Sequence, residues 1–253
     1  MVRVYILARD ENIFHPAFFD TILSTCPPDY MVIGAAIVAS RETLLDSIQY
    51  VFRLGGASSV IKLALKLSCQ KLKLYLQQSP LISVRAVFKR HNIKFEEITN
   101  PNDKQFLERL AEQQPDVVFC AVPNILKKDI LALPQLVCVN RHAGKLPDYR
   151  GLEPIFQALR CGETTITVTY HSMIEAIDGG YILWEHEEPV SHKDSVYTIY
   201  ERLFPASARG FWEAIKNLKM RQLKLVNLQE GNYFSKPTQM QVLQFRNTKH
   251  HYI

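Results

Sequence analysis

Three side chains set the chemistry open to this sequence: Asn140 and His142 in Val139-Asn140-Arg141-His142, and Asp178 in Asp178-Gly179-Gly180. When an acyl group passes to an amine its carbonyl oxygen becomes an oxyanion, and one preorganised amide N–H aimed at that oxygen is worth about 10²- to 10³-fold in rate. Asn140 is the residue type for that task. His142, two positions on in an extended chain, points to the same side, so it can donate to the same oxygen or shuttle the proton from the attacking amine to the leaving nitrogen. Asp178, in what reads as an exposed glycine-flanked loop, can orient His142 and stabilise its imidazolium, or hold a relaying water. Together they suit movement of a formyl group from a carrier to an amine that attacks directly, with no covalent nucleophile. The chain has neither a G-x-S-x-G elbow nor an H-E-x-x-H pair. Singly, each signal is also that of an ordinary turn: Asn-x-His can cap one and Asp-Gly-Gly can form one.

The elements that must position these residues read as α/β. Apolar runs rich in β-branched residues predict strands over 4–8, 31–39, 94–98, 116–121, 136–139, 165–171 and 181–189. Amphipathic stretches predict helices over 16–24, 82–91, 103–113, 151–160 and 194–218, the last broken or kinked at Pro205. Strands interleaved with helices give a Rossmann-like, mostly parallel sheet covered on both faces. Ligands bind such sheets at the carboxyl ends of the strands, where Asn140 would follow the strand over 136–139. The expected organisation is a catalytic domain over 1–222, with an insertion at about 41–80, and a short C-terminal appendage over 223–253.

With 253 residues and 47% hydrophobic content, the chain can bury a substantial core. The five cysteines, Cys26, Cys69, Cys120, Cys138 and Cys161, are scattered without a C-x-x-C pair, which argues against a disulfide framework and against a zinc site, so no metal is expected. Cys120 and Cys138 sit in apolar runs and read as inert. A reducing cytoplasm is the expected compartment. The net charge is +5, and residues 41–94 hold 10 Lys and Arg against 2 Asp and Glu. All the net basicity therefore belongs to one segment, and no nucleic-acid partner is expected. Within it, Lys62, Lys66, Gln70, Lys73 and Gln77 share one polar stripe of a helix over 58–77, with Ile61, Leu63, Leu65, Leu67, Leu72, Leu74 and Leu76 around the remainder. Two readings of this basic amphipathic helix stand: it lies on its own domain or on the partner in a homodimer, or its Lys62 to Lys73 stretch makes a peripheral contact with anionic lipid at the inner face of a membrane.

Taken in order, Asn140-x-His142, Leu146-Pro147-Asp148-Tyr149-Arg150-Gly151 and His171-x-Met173 leading to Asp178-x-Gly180 resemble the motifs of the formyltetrahydrofolate-dependent formyltransferases, the superfamily of the glycinamide ribonucleotide and methionyl-tRNA enzymes. The resemblance is close over residues 116–189. It implies a co-substrate, N10-formyltetrahydrofolate, and Asn140, His142 and Asp178 as the catalytic triad, with His171 structural. It also implies that Val122, Pro123, Asn124, Ile125 and Leu126 form the apolar loop receiving the pterin, and that Glu175, Ala176 and Ile177 close the other side. Leu126 and Ile125 have simple loop packing as the competing reading.

Departures from the family narrow the substrate. In place of a glycine-rich phosphate loop after the first strand, this sequence has Ala8-Arg9-Asp10-Glu11-Asn12, whose acidic pair repels phosphate. Neither the additional β-barrel of the methionyl-tRNA enzymes nor the regulatory domain of the formyltetrahydrofolate hydrolases is expected here. The remainder looks like the stand-alone sugar N-formyltransferases of bacterial surface-glycan pathways, and the stretch 232–238 is similar to a closing segment of such enzymes. That resemblance implies a nucleotide-linked amino sugar as the small-molecule partner. Arg9, Tyr149 and Arg150 are its candidate contacts, because arginine forks onto a diphosphate and tyrosine stacks on a base; Arg150 alternatively shapes its own loop. Another amine (an amino acid, a lipid-linked sugar or methionyl-tRNA) and a non-catalytic folate-binding module remain as alternatives.

Overall fold

The computed structural model describes residues 1–39, 43–77, 79, 81–220 and 223–253. The expected insertion boundaries near 41 and 80, and the domain boundary at 222, lie outside the described residues. The first half alternates strand and helix: β1 (Val2–Arg9), α1 (His15–Ser24), β2 (Tyr30–Val38), α2 (Leu44–Leu76), α3 (Val84–Arg90), β3 (Phe95–Ile98), α4 (Lys104–Glu112), β4 (Val117–Ala121), α5 (Lys128–Leu131) and β5 (Val137–His142). Then follow β6 (Arg150–Gly151), α6 (Pro154–Arg160), β7 (Thr165–Ser172), β8 (Tyr181–Pro189), α7 (Val196–Met220), β9 (Lys224–Leu225), β10 (Tyr233–Phe234) and α8 (Gln239–Arg246).

Eight strands form one sheet in the order β3-β2-β1-β4-β5-β7-β8-β9, and β10 pairs with β6. The pairings from β3 through β5 are parallel, while β7, β8 and β9 are added antiparallel. This is the Rossmann-like α/β arrangement, with helices on both faces. Strands β1 and β4 read as continuous apolar runs because both faces are covered. One face packs Ile6, Phe119 and Val139 with Phe19, Phe88 and Phe211, and the other packs Tyr5, Leu7 and Cys120 with Phe106 and Leu110.

Three expectations are corrected. The strand expected to stop at Val139 continues through His142, because β7 pairs with it and places Asn140 opposite His171 and His142 opposite Thr169. Helix α7 runs unbroken through Pro205. The proline lacks the N–H for one turn bond, but the helix buries Leu203, Phe211, Trp212 and Ile215 along one side, so packing outweighs the lost bond. The helix expected from residue 151 starts instead at Pro154, since Gly151 has a φ of 94° and belongs to β6.

Helix α2 is bent at Gly56, where φ is 72°. Its polar stripe turns toward the body of the molecule: Lys62 Nζ donates to the Ile253 carbonyl, Lys66 pairs with Glu201 at 3.4 Å, and Gln70 Nε2 donates to the Ile13 carbonyl. Ile61, Leu65 and Leu72 face outward at 60, 62 and 59% exposure. That is the reverse of a helix that buries its apolar face. No described helix is long and apolar enough to cross a membrane.

Candidate active site

The site is built at the carboxyl end of β5. Asn140 and His142 alternate to one side of the strand, as spacing required. His171 lies directly across on β7 and is almost fully buried. Its Nδ1 faces the carbonyl oxygens of Ser172 at 2.9 Å and Gly179 at 3.0 Å, so Nδ1 carries the proton and donates. Burial lowers the pKa of His171 from its ordinary value, against the opposing pull of Asp178, which favours the neutral ring. Its bare Nε2 then accepts from Asn140 Nδ2 at 3.3 Å. That bond fixes which way the Asn140 amide faces. An amide nitrogen has two hydrogens; one is held by His171 and the other remains for an incoming oxygen.

His142 is buried between two acceptors. Its Nε2 lies 2.6 Å from the Tyr149 carbonyl oxygen and its Nδ1 lies 3.6 Å from Asp178 Oδ2. Nε2 donates to the Tyr149 carbonyl, which leaves Nδ1 turned toward the carboxylate. Gly144 lets this approach occur: a Cβ there would stand 2.8 Å from His142 Nε2 and 2.6 Å from the Pro154 side chain.

Asp178 is not in an exposed loop, as its glycine neighbours suggested. Its side chain is only 10% exposed. The residue sits at φ 52°, and Oδ2 accepts from the Gly151 N–H at 2.6 Å. The turn that carries it folds back over the sheet end, bringing its carboxylate within 3.7 Å of His171 as well as close to His142.

Asn140 opens into a cleft of about 220 Å³ whose walls include Arg9, His15, Val122, Pro123 and Arg141. The folate-loop candidates stand at the same sheet end. Leu126 is buried in an apolar cluster that Val122 and Met173 also join, so the loops expected to flank the pterin pack on common ground. Ile125 is 70% exposed and Ile177 and Glu175 also face outward, while Ala176 is half-buried and its carbonyl accepts from the Gly179 N–H. Asn102 brackets the first loop, donating to the Ile125 carbonyl and accepting from the Lys127 N–H. Asn124 is exposed.

The substrate-contact candidates separate. Arg9 lines the cleft. Tyr149 does not: it is buried, stacked on Phe234, and its hydroxyl donates to Glu163 at 2.6 Å. Arg150 turns to the C-terminal segment, where its Nη2 donates to the Leu228 carbonyl at 3.4 Å. The acidic pair after β1 is engaged. Asp10 pairs with Arg85, and Glu11 accepts from the N–H groups of Ile13, Phe14 and His15. A carboxylate of the chain itself therefore occupies the start of α1, where other proteins place phosphate.

Arg141 was missed by motif reading, being the unspecified residue of Asn-x-His. The signal was a lone cation inside a strand. Among the described residues no cluster of His, Cys, Asp and Glu suited to a metal ion occurs, and Cys120 and Cys138 are buried, with burial pushing the Cys120 thiol up.

The formyl transferase family model matches residues 65–215, more than half of the chain. The chain belongs to that family. Methionyl-tRNA formyltransferase from Thermotoga maritima is 34% identical over 143 residues, covering 56% of this chain and 46% of the relative. The bifunctional polymyxin resistance protein ArnA of Wigglesworthia glossinidia brevipalpis is 33% identical, covering 60% of this chain and 24% of the relative. The chain thus aligns with less than half the length of these curated relatives. Among solved structures, phosphoribosylglycinamide formyltransferase from Anaplasma phagocytophilum superposes with a TM-score of 0.62 at 13% identity, over 93% of this chain and 99% of that one. An N-formyltransferase from Helicobacter canadensis, in complex with folinic acid and dTDP-3-aminofucose, gives 0.57 at 17% identity, over 93% and 71%.

Proposed function

We propose that this chain transfers the formyl group of N10-formyltetrahydrofolate to a primary amine, and that the amine belongs to a nucleotide-linked deoxyamino sugar of the kind used for surface glycans such as O-antigen. The observation that carries the reaction is the sheet-end set in which Asn140 is aimed by His171 and His142 is held between Tyr149 and Asp178. The folate supplies an activated formyl group. Asn140 offers its second amide hydrogen to the formyl oxygen, and His142, backed by Asp178, takes the proton that the attacking amine sheds and passes it to the folate nitrogen as the bond from that nitrogen to the formyl carbon breaks. Support for the folate side comes from the apolar loops over 122–126 and 175–177, with Val122 and Pro123 lining the cleft and Ile125 and Ile177 exposed. Support for the sugar class comes from the Helicobacter canadensis neighbour and from the arginine-bearing cleft.

Methionyl-tRNA is the second reading, favoured by the sequence relatives. Loss of formyltetrahydrofolate absorbance in the presence of a panel of nucleotide-linked amino sugars, methionyl-tRNA and simple amines decides between them. Turnover of methionyl-tRNA alone would exclude the sugar. Turnover of none, with folate bound, would make the chain a folate-binding module.

For α2 we propose a peripheral contact with an anionic membrane. Its outward arc of Ile61, Leu65 and Leu72 continues through an apolar crease at the Gly56 bend to Ile48 and Phe52. On a helical wheel Lys71 flanks that arc, the position from which a lysine stem reaches lipid headgroups.

A further inference from the structure

The cleft beside Asn140 adjoins a larger cavity of about 470 Å³ under α2, and Phe18 and Phe204 line both. Its far walls carry Phe14 and Tyr197 with Lys66, Cys69 and Lys73. Phe14 stacks on Phe204 at 4.8 Å, giving the cavity a flat aromatic side.

Arg141 stands at the shared wall. Its guanidinium carbon lies 4.0 Å from the Phe204 ring centre and 5.8 Å from that of Phe18, and Nε donates to Ser207 Oγ at 2.7 Å. Nη2 is buried with no hydrogen-bond partner, and no carboxylate pairs with the guanidinium among the described residues. Burial lowers its pKa, yet an arginine keeps its proton in proteins. A desolvated cation without a counter-charge is costly, and a phosphoryl group matches the guanidinium fork. Glu11, the acid among the residues lining the cleft, is committed to the start of α1.

We infer that cleft and cavity form one acceptor site, with the reactive amine at Asn140, a phosphoryl group of the same molecule against Arg141, and the non-polar or aromatic group attached to that phosphate under α2. This rests on the formyl-transfer reading and deepens it, because it assigns Arg141 to the acceptor's phosphate and the cavity under α2 to the group beyond that phosphate. A nucleoside diphosphate and a lipid-linked phosphate share that chemistry, and a cavity of this size accommodates either a base or a short stretch of chain.

Calorimetric titration of the full-length chain with uridine diphosphate, thymidine diphosphate, farnesyl phosphate and inorganic pyrophosphate tests the inference. Either nucleotide binding or farnesyl phosphate binding is expected, and which of them binds identifies the source. Arg141→Gln should weaken that ligand about 10- to 100-fold, the range for a charged hydrogen bond, and Arg141→Lys should recover part of the loss. Cys69→Trp, which fills the cavity, should weaken the same ligand but leave pyrophosphate unaffected. Folate binding serves as the check that each variant is folded. No binding of any organic phosphate would overturn the inference, as would wild-type binding in folded Arg141→Gln or Cys69→Trp. The two readings fail separately. Arg141-dependent phosphate binding without formylation of any amine would remove the reaction and keep the site, whereas formylation of an unphosphorylated amine with KM unchanged in Arg141→Gln would do the reverse.

Discussion

At the scale of single residues, the site works by committing protons. His171 shows this, because its two carbonyl partners decide the tautomer, the tautomer decides what Nε2 does, and Nε2 aims Asn140. Burial lowers its pKa from the ordinary histidine value. Ring ¹⁵N NMR near pH 6.5 should therefore find His171 neutral with its proton on Nδ1, and a doubly protonated ring at that pH would break the account. Asn140→Ala should lower kcat by about 10²- to 10³-fold with little change in folate KM, since the lost donor acts on charge that develops only during transfer. Equal losses in kcat and folate affinity would instead make Asn140 a binding residue. The triad candidates were legible because three unusual residue types stood in order. Arg141 was not, because reading Asn-x-His directs attention to one side of the strand and away from the side chain between.

At the scale of elements, α7 depends on its first turn. Asp194 Oδ1 accepts from Arg202 Nη1 at 2.8 Å and Oδ2 from the Ser191 N–H at 2.8 Å, and the Arg202 guanidinium first among these holds the carboxyl at a pKa of about 2. Unfolded, the same carboxyl titrates near ~3.9. Its stabilisation is therefore complete above pH about 4 and is lost as pH falls through about 2. Thermal melts of wild type and Arg202→Gln should differ by about 1 kcal/mol at pH 7 and converge over that acidic window. A second expectation concerns α2: flotation with phosphatidylcholine vesicles containing phosphatidylglycerol should carry the chain upward, and Lys71→Glu should weaken binding by at least about fivefold. Self-association abolished by Leu65→Ser and Leu72→Ser, without flotation, would assign the face to a second copy. Most strands and helices were readable to within a few residues, because the periodicity of buried positions is local. The extension of β5 and the continuity of α7 were not, because a distant strand and a packed face decide them.

At the scale of the molecule, the C-terminal stretch is woven into the site rather than appended beside it. Strand β10 pairs with β6, so the Arg150 N–H donates to the Asn232 carbonyl and the Leu152 N–H to that of Phe234. The intervening Gly151 N–H is the one that holds Asp178. Phe245 of α8 stacks on Phe156 of α6 at 4.4 Å, and Tyr252 and Tyr50 both reach the half-buried Glu153, joining tail, α2 and α6 at one carboxyl. The turn bearing Asp178 is thus held from behind by residues more than fifty positions away. Gly151 is the narrowest point of that link: at φ 94°, an added Cβ would collide with the Phe234 carbonyl oxygen. Gly151→Ala should part β10 from β6, release Asp178, and lower kcat by at least about tenfold, the loss expected when one buried hydrogen bond to a charged group is broken. Phe245→Ala should destabilise the fold by about 3–5 kcal/mol through its cavity, with kcat falling only as β10 loosens. Hydrogen exchange separates the two effects. In Gly151→Ala the amides of residues 150–152 should lose protection while α8 keeps its own, and full kcat with those amides deprotected would show that Asp178 does not need the tail.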